Sequence, residues 1–158
     1  MAASGDIQAV TLALGREVFA VPVDHVREIL DYSQPFAIPE GPAYLLGLTD
    51  VRGRAVPTLD LRLKLGMPAA EPMLSTRILV LDVPVQERVL SLGLVADRVI
   101  EVITLSADTL EAAPDIGVPW RSDYIQGVAR RSDGFVVLFD LARLLTSEDA
   151  ALSLQHAA

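Results

Sequence analysis

Short apolar runs alternate with polar residues along most of the chain, and glycine, proline or charged residues separate the runs. This period-two pattern predicts β-strands. Thr11–Leu14 and Glu17–Val21 are expected to form a hairpin that turns at Gly15 and Arg16. Three more strand pairs are predicted: Leu46–Val51 with Arg54–Leu59, Arg77–Val83 with Val89–Val95, and Ile125–Ala129 with Phe135–Phe139.

Short helices are predicted where an aspartate precedes apolar residues at helical spacing. Asp24 is expected to cap a helical turn over His25–Ile29, and Asp97 is expected to act as a similar cap. Asp60 is expected to cap a helix over Leu61–Leu65. Near the C-terminus, helical patterns cover Leu141–Leu145 and Glu148–Gln155.

An internal repeat organises these elements. The segment Phe19–Leu30 resembles Leu92–Ile103 at an offset of 73 residues, and Tyr44–Leu48 resembles Tyr124–Val128 at an offset of 80. The chain therefore contains one unit of roughly five strands twice. Because a unit of about 60–70 residues has a marginal core alone, the two units are expected to bury apolar faces against each other. Small antiparallel barrels are the expected closure, since closure removes exposed strand edges.

Composition excludes several classes of function. The net charge of −8 provides no basic surface for nucleic acid. The chain has no cysteine, which excludes disulfides and thiol chemistry and fits a reducing compartment. Residues Met1–Asp6 lack the features of a signal peptide, and no apolar run approaches the ~20 residues that span a membrane. We therefore expect a cytoplasmic protein that meets a membrane only through a partner.

No catalytic, metal or cofactor site is predicted. The chain has two histidines, His25 and His156, and neither lies in a pattern that assembles a base with a nucleophile. Spacings typical of zinc ligands, phosphate loops and dinucleotide folds are missing from the sequence. Paired carboxylates such as Asp24 and Glu28 are interpreted as solvated positions without acid–base function.

One pair of opposite charges allows a functional interpretation. Arg52 occupies the turn between two predicted strands, and Gly53 beside it permits a tight backbone. Arg52 is either an ordinary hairpin arginine or the partner of Glu28 on a surface with exposed aliphatic residues. The second interpretation suits the planar guanidinium, which holds a carboxylate in fixed geometry and is common at protein–protein hot spots. Spacing alone leaves both interpretations open.

The chain resembles the CheW family of chemotaxis coupling proteins from about Ala9 to Leu152. The resemblance is carried by Val23–Leu30, Tyr44–Arg62, Leu92–Ile103 and Tyr124–Val128. The family pattern Gly-x-x-Asn-x-Arg-Gly-x-x-x-Pro-x-x-Asp-Leu-Arg is matched at Gly47, Arg52, Gly53, Pro57, Asp60, Leu61 and Arg62. Asp50 stands where the family has Asn, and its charge is expected to compete with Glu28 for Arg52.

The resemblance implies a mostly β fold of two intertwined five-stranded SH3-like β-barrels with short helices and a C-terminal helix. Residues 9–152 are expected to form a single domain. Its two pseudo-repeated subdomains would cover approximately 24–90 and 97–145. The N-terminal strands and the C-terminal helix would pack across them.

The resemblance also implies a non-enzymatic scaffold that couples the cytoplasmic tips of chemoreceptors to the regulatory domain of a CheA-type histidine kinase. Mapped onto this sequence, the receptor contact in the groove between the barrels suggests Val26, Glu28 and Arg52. The kinase contact suggests Pro114 and Ile116. The protein would lie at receptor arrays on the inner face of the membrane and would be a monomer in isolation.

Two alternatives to this function stay open from the sequence. The first is a CheW-like coupling protein of a receptor–kinase pathway unrelated to motility. The second is an enzyme of unknown class, whose mark would be a deep polar pocket with converging titratable groups.

Overall fold

The computed structural model describes residues 5–112, 124–132 and 134–145. In chain order the strands and α-helices are β1 (Asp6–Leu14), β2 (Glu17–Pro22), β3 (Val26–Asp31), β4 (Leu45–Val51), β5 (Arg54–Asp60), α1 (Leu61–Lys64), β6 (Arg77–Val85), β7 (Arg88–Ala96), β8 (Arg98–Ser106), β9 (Ile125–Arg131), β10 (Gly134–Phe139) and α2 (Leu141–Leu145). Single turns of 3-10 helix cover Val23–His25 and Ala107–Thr109. The predicted Glu148–Gln155 helix lies outside the described residues.

The strands form two five-stranded sheets with matching order. The first sheet runs β8-β1-β2-β10-β9 and the second runs β3-β6-β7-β5-β4. The first unit joins residues up to His25 with residues from Ile100 onward, whereas the second is the continuous segment Val26–Val99. The predicted fold class, mostly β with two five-stranded sheets and short helices, is confirmed. The predicted subdomain limits stay a prediction.

The pairing of the strands follows the predicted hairpins. β1 pairs with β2, β4 with β5, β6 with β7 and β9 with β10, all antiparallel. In each sheet one parallel pairing joins two hairpins, β2 with β10 and β5 with β7. The repeat is therefore present in the topology as well as in the sequence.

The repeat extends to matching hydrogen bonds after each hairpin. The backbone N–H of Asp60 donates to the carbonyl of Tyr44 at 2.8 Å, and that of Asp140 donates to Tyr124 at 2.7 Å. Each aspartate then caps a short helix, because Asp60 Oδ1 accepts from Leu63 N and Asp140 Oδ1 accepts from Arg143 N. The predicted cap at Asp60 is confirmed.

Two local predictions are wrong. The expected helical turn over His25–Ile29 is a strand from Val26 onward, preceded only by the 3-10 turn. Burial alternates along β3, and Ile29 is 41% exposed, so tertiary pairing with β6 overrides the helical spacing of the apolar residues. Asp97 caps no helix, since β8 begins at Arg98, and it binds Arg62 instead.

Each unit has its own apolar core. In the first unit, seven buried residues form one cluster: Ala9, Ala20, Ile103, Leu105, Ala129, Val136 and Leu138. In the second unit, Val51 of β4 forms a buried cluster with Val56 and Val80, and Leu30 of β3 packs against this cluster. Because β3 and β4 are the two edges of the second sheet, this packing shows that the sheet curls until its edges approach each other.

Candidate functional site

The turn between β4 and β5 carries Arg52 at its tip. Val51 pairs with Arg54, so Arg52 and Gly53 form the whole loop, and their φ angles are +53° and +85°. Positive φ at both central positions defines a type I′ turn, which matches the twist of the flanking strands. The glycine adopts its angle freely, whereas the arginine is held in a region that non-glycine residues seldom occupy.

Arg52 forms a two-pronged ion pair with Glu28. Its Nε donates to Glu28 Oε2 at 3.3 Å and its Nη2 donates to Oε1 at 3.2 Å. The pair therefore links edge strand β3 to the turn that follows β4, the strand at the opposite edge of the second sheet. The hydrogen bonds to Glu28, and then its charge, raise the pKa of the Arg52 guanidinium.

The two side chains of this ion pair differ in their exposure to solvent. The Arg52 side chain is 81% exposed, whereas that of Glu28 is only 19% exposed. Ion pairs this exposed contribute little to folding stability. The arrangement instead holds an open guanidinium fork in a defined place, where a partner's carboxylate or carbonyl can accept from its outer N–H groups.

The third residue suggested for the receptor contact is Val26, on the same strand as Glu28. Both are half-buried, and the alternation along β3 places them with Leu30 on one face. Arg27, on the opposite face, pairs with Asp82 at 3.1 Å. The structure therefore places Val26, Glu28 and Arg52 within one unit. Pro114 and Ile116, suggested for the kinase contact, lie outside the described residues.

The expected competition of Asp50 for Arg52 is not what the structure shows. Asp50 Oδ1 accepts a hydrogen bond from the Gly53 backbone N–H at 2.9 Å. The aspartate thus bonds to the backbone of the turn, while Arg52 remains paired with Glu28.

Phe36, an exposed aromatic residue beside this turn, was not predicted from the sequence. Phe36 is 83% exposed and forms an isolated bridge to β4, with bonds to Leu48 of 2.7 and 2.9 Å. It borders an open cleft of about 310 Å³ that is lined also by Leu48, Thr49, Asp50, Gly53, Arg54 and Ala55. The place of this aromatic residue between Pro35 and Pro39 was the sequence signal that could have identified it.

A second polar cluster lies elsewhere in the same unit. Arg62 donates to both oxygens of Asp97, from Nε at 2.9 Å and from Nη2 at 2.5 Å, and the two side chains are only 17% and 14% exposed. This bond raises the pKa of the Arg62 guanidinium and ties α1 to the junction of β7 and β8. The adjoining cleft of about 150 Å³ also contains Tyr32 and Asp60.

Ionisation of Tyr32 is expected to lower the stability of the second unit at alkaline pH. Burial, and then the charge of Asp60, raise the pKa of Tyr32 above its ordinary 10.0. The folded protein therefore holds this proton more tightly than the unfolded chain, and the resulting stability is complete below pH 10 and lost as pH rises through the raised pKa. We expect Tyr32→Phe to lose less stability than the wild type above pH 10. Urea unfolding of both proteins at several alkaline pH values measures this. If the free energies of unfolding of variant and wild type fell equally with pH, the prediction would be contradicted.

The remaining chemistry in the described ranges is limited. No three metal-binding side chains cluster there. Within the same ranges, no helix has the length and apolar character needed to cross a membrane.

Comparisons with known proteins agree on one family. The family model for the CheW-like domain matches residues 8–149. Over 139 residues the chain is 32% identical to the chemotaxis protein CheW of Klebsiella aerogenes, covering 88% of this chain and 81% of the relative. It is 30% identical over 146 residues to CheW of Rhizobium meliloti, covering 92% of each. The crystal structure of the scaffolding protein TtCheW from Thermoanaerobacter tengcongensis has a TM-score of 0.77 at 23% identity and covers 90% of each chain, which supports the fold.

Proposed function

The chain belongs to the CheW family, and on that premise we propose that it is a non-enzymatic adaptor that couples chemoreceptors to a CheA-type histidine kinase. The observation that carries this proposal is the family match over residues 8–149, which includes the motif around the β4–β5 turn. The adaptor makes and breaks no bonds. It works in the cytoplasm, at receptor arrays that it reaches through its partners.

The receptor contact is assigned to Val26, Glu28 and Arg52. Support comes from the exposed guanidinium, fixed by Glu28, on the unit that also presents the half-buried Val26. Burial of apolar surface would supply most of the affinity. The charged pair would set the register of the receptor tip and exclude partners of the wrong charge.

The kinase contact is assigned to Pro114 and Ile116, which the family resemblance suggests. The regulatory domain of the kinase would bind there while the receptor occupies the Arg52 surface, so that one adaptor holds both partners. In isolation, the protein is expected to be a monomer.

A pull-down from lysate with this chain as bait tests the function. We expect the wild type to retain a chemoreceptor and a CheA-type kinase. Arg52→Glu should reduce receptor recovery by at least about tenfold, because it places two carboxylates together and removes the donor fork. Kinase recovery should stay unchanged.

Arg27→Glu is the matched control, since Arg27 is also an exposed, paired arginine but lies on the other face of β3. It should retain both partners. If the wild type retains neither partner, the coupling function is wrong. If Arg52→Glu binds the receptor normally with an unchanged melting curve, only the assignment of Arg52 is wrong.

A further inference from the structure

The side chain of Asp50 stands next to the proposed receptor contact without being part of it. We propose that Asp50 is a positioning residue that holds Arg52 in its receptor-binding orientation through the β4–β5 turn. This inference rests on the proposed receptor role of Arg52.

The backbone of the turn explains why such a residue is needed. Arg52 has a φ of +53°, in the left-handed region that is unfavourable for residues with a Cβ atom. The antiparallel pairing between β4 and β5 stops at Val51 and Arg54, so the ladder leaves the Gly53 N–H unpaired. Asp50 Oδ1 accepts from that N–H at 2.9 Å. A short polar side chain bonded across a turn in this way stabilises one turn geometry over its competitors.

The direction of the Arg52 side chain depends on that geometry. Positive φ at both central positions lets the turn match the twist of its strands, and in this conformation the Arg52 guanidinium lies 3.2 Å from Glu28. If Gly53 loses its acceptor, the turn can relax so that Arg52 takes a negative φ. The Cα–Cβ bond of Arg52 would then swing away from β3, and the pair with Glu28 would open.

The chemistry of the acceptor makes the role testable. Asn has an Oδ1 acceptor like that of Asp but carries no charge, whereas Ala has no acceptor and no charge. A role in positioning therefore predicts that Asp50→Asn behaves like the wild type and that Asp50→Ala does not. Because Asp50 is exposed, neither change should alter global stability by more than a surface substitution usually does.

The experiment combines two readouts. In the free protein, NMR follows hydrogen exchange of the Gly53 amide and the resonance of Arg52 Nε–H. Binding is measured by titration with the cytoplasmic tip fragment of the chemoreceptor that the pull-down identifies. The variants are Asp50→Ala, Asp50→Asn, Arg52→Ala and the double variant Asp50→Ala/Arg52→Ala.

We expect Asp50→Ala to accelerate Gly53 exchange, shift the Arg52 Nε–H resonance and weaken binding about fivefold, the effect of one net hydrogen bond. Asp50→Asn should keep all three wild-type values. In the Arg52→Ala background, Asp50→Ala should weaken binding no further, since it acts only through Arg52.

The inference is overturned if Asp50→Ala leaves the Gly53 and Arg52 signals unchanged, or if it weakens binding equally when Arg52 is already absent. A change in Gly53 exchange, in the Arg52 Nε–H resonance or in binding caused by Asp50→Asn would also overturn it. If the wild type does not bind any receptor fragment, the proposed function fails, but the NMR signals of the free protein still decide whether Asp50 positions Arg52.

Discussion

Replacing Gly47 by alanine is expected to lower the free energy of unfolding by about 2–5 kcal/mol. This loss is the sum of the cost of an unfavourable backbone angle and the cost of an overpacked contact. Gly47 lies in β4 with a φ of +142°. A Cβ atom there would overlap the carbonyl carbon and oxygen of Phe36. Phe36 is held against β4 by its two bonds to Leu48, so its backbone cannot withdraw without breaking them.

Gly53→Ala is the matched control for this prediction. Gly53 also has a positive φ, of +85°, but apart from Gly53 itself and its two chain neighbours no residue has an atom within 4 Å of the position that its Cβ would take. Its substitution should therefore cost only the backbone term, about 1–2 kcal/mol. Urea unfolding of both variants beside the wild type measures the difference. If both variants lost the same free energy of unfolding, the close approach of Phe36 to Gly47 would not constrain the strand.

Asp97→Ala is expected to lower the free energy of unfolding by about 2–3 kcal/mol, because it leaves a largely buried guanidinium without its carboxylate. Arg62 donates to both Asp97 oxygens, and both side chains are more than four-fifths buried. Removal of one partner from such a pair costs more than the pair contributes, because the remaining charge stays desolvated.

Two further variants isolate this effect. Asp31→Ala removes a carboxylate that is 95% exposed and lies 3.6 Å from Arg77, so it should change stability by less than about 0.5 kcal/mol. The double variant Arg62→Met/Asp97→Leu removes both charges and should recover part of the loss. Thermal and urea unfolding measure all three. A loss for Asp97→Ala no greater than that for Asp31→Ala would show that the pair is effectively solvated.

The hairpins were predictable because their signals are local, and the strand repeat was predictable because its two copies remain similar in sequence. A two-residue turn with glycine between alternating strands fixes the pairing of its neighbours, as at Gly15 and Gly53. The offset between Tyr44 and Tyr124 identified the repeat, and the matching bonds to Asp60 and Asp140 show that it is structural. The helix cap at Asp60 was predictable for the same reason, since its partner lies three residues away.

Predictions failed where distant partners decide the outcome. Val26, Ile29 and Leu30 have helical spacing, yet pairing with β6, about fifty residues later, makes the segment a strand. Asp97 resembled a helix cap, but its partner Arg62 lies 35 residues earlier. Neither contact leaves a mark in the local pattern of apolar and polar residues.

The candidate site was partly predictable. The turn at Arg52 follows from the glycine beside it, and a pair with Glu28 was one of the two interpretations that the sequence left open for this arginine. The role of Asp50 in closing the turn was missed, because its charge suggested a bond to the arginine rather than to a backbone N–H. Phe36 was missed because nothing in the loop sequence shows that it bridges β4 at Leu48.

The division of the first sheet between the two ends of the chain has a consequence during synthesis on the ribosome. All strands of the second sheet lie within Val26–Val99, so that sheet can be complete while translation continues. The β1–β2 hairpin emerges first, yet its parallel partner β10 begins at Gly134, 112 residues after Pro22. At about 5–20 residues per second, the nascent hairpin waits roughly 6–20 s with an apolar edge unpaired. The sheet whose first strands are made earliest is therefore completed last, only after β10 has been synthesised.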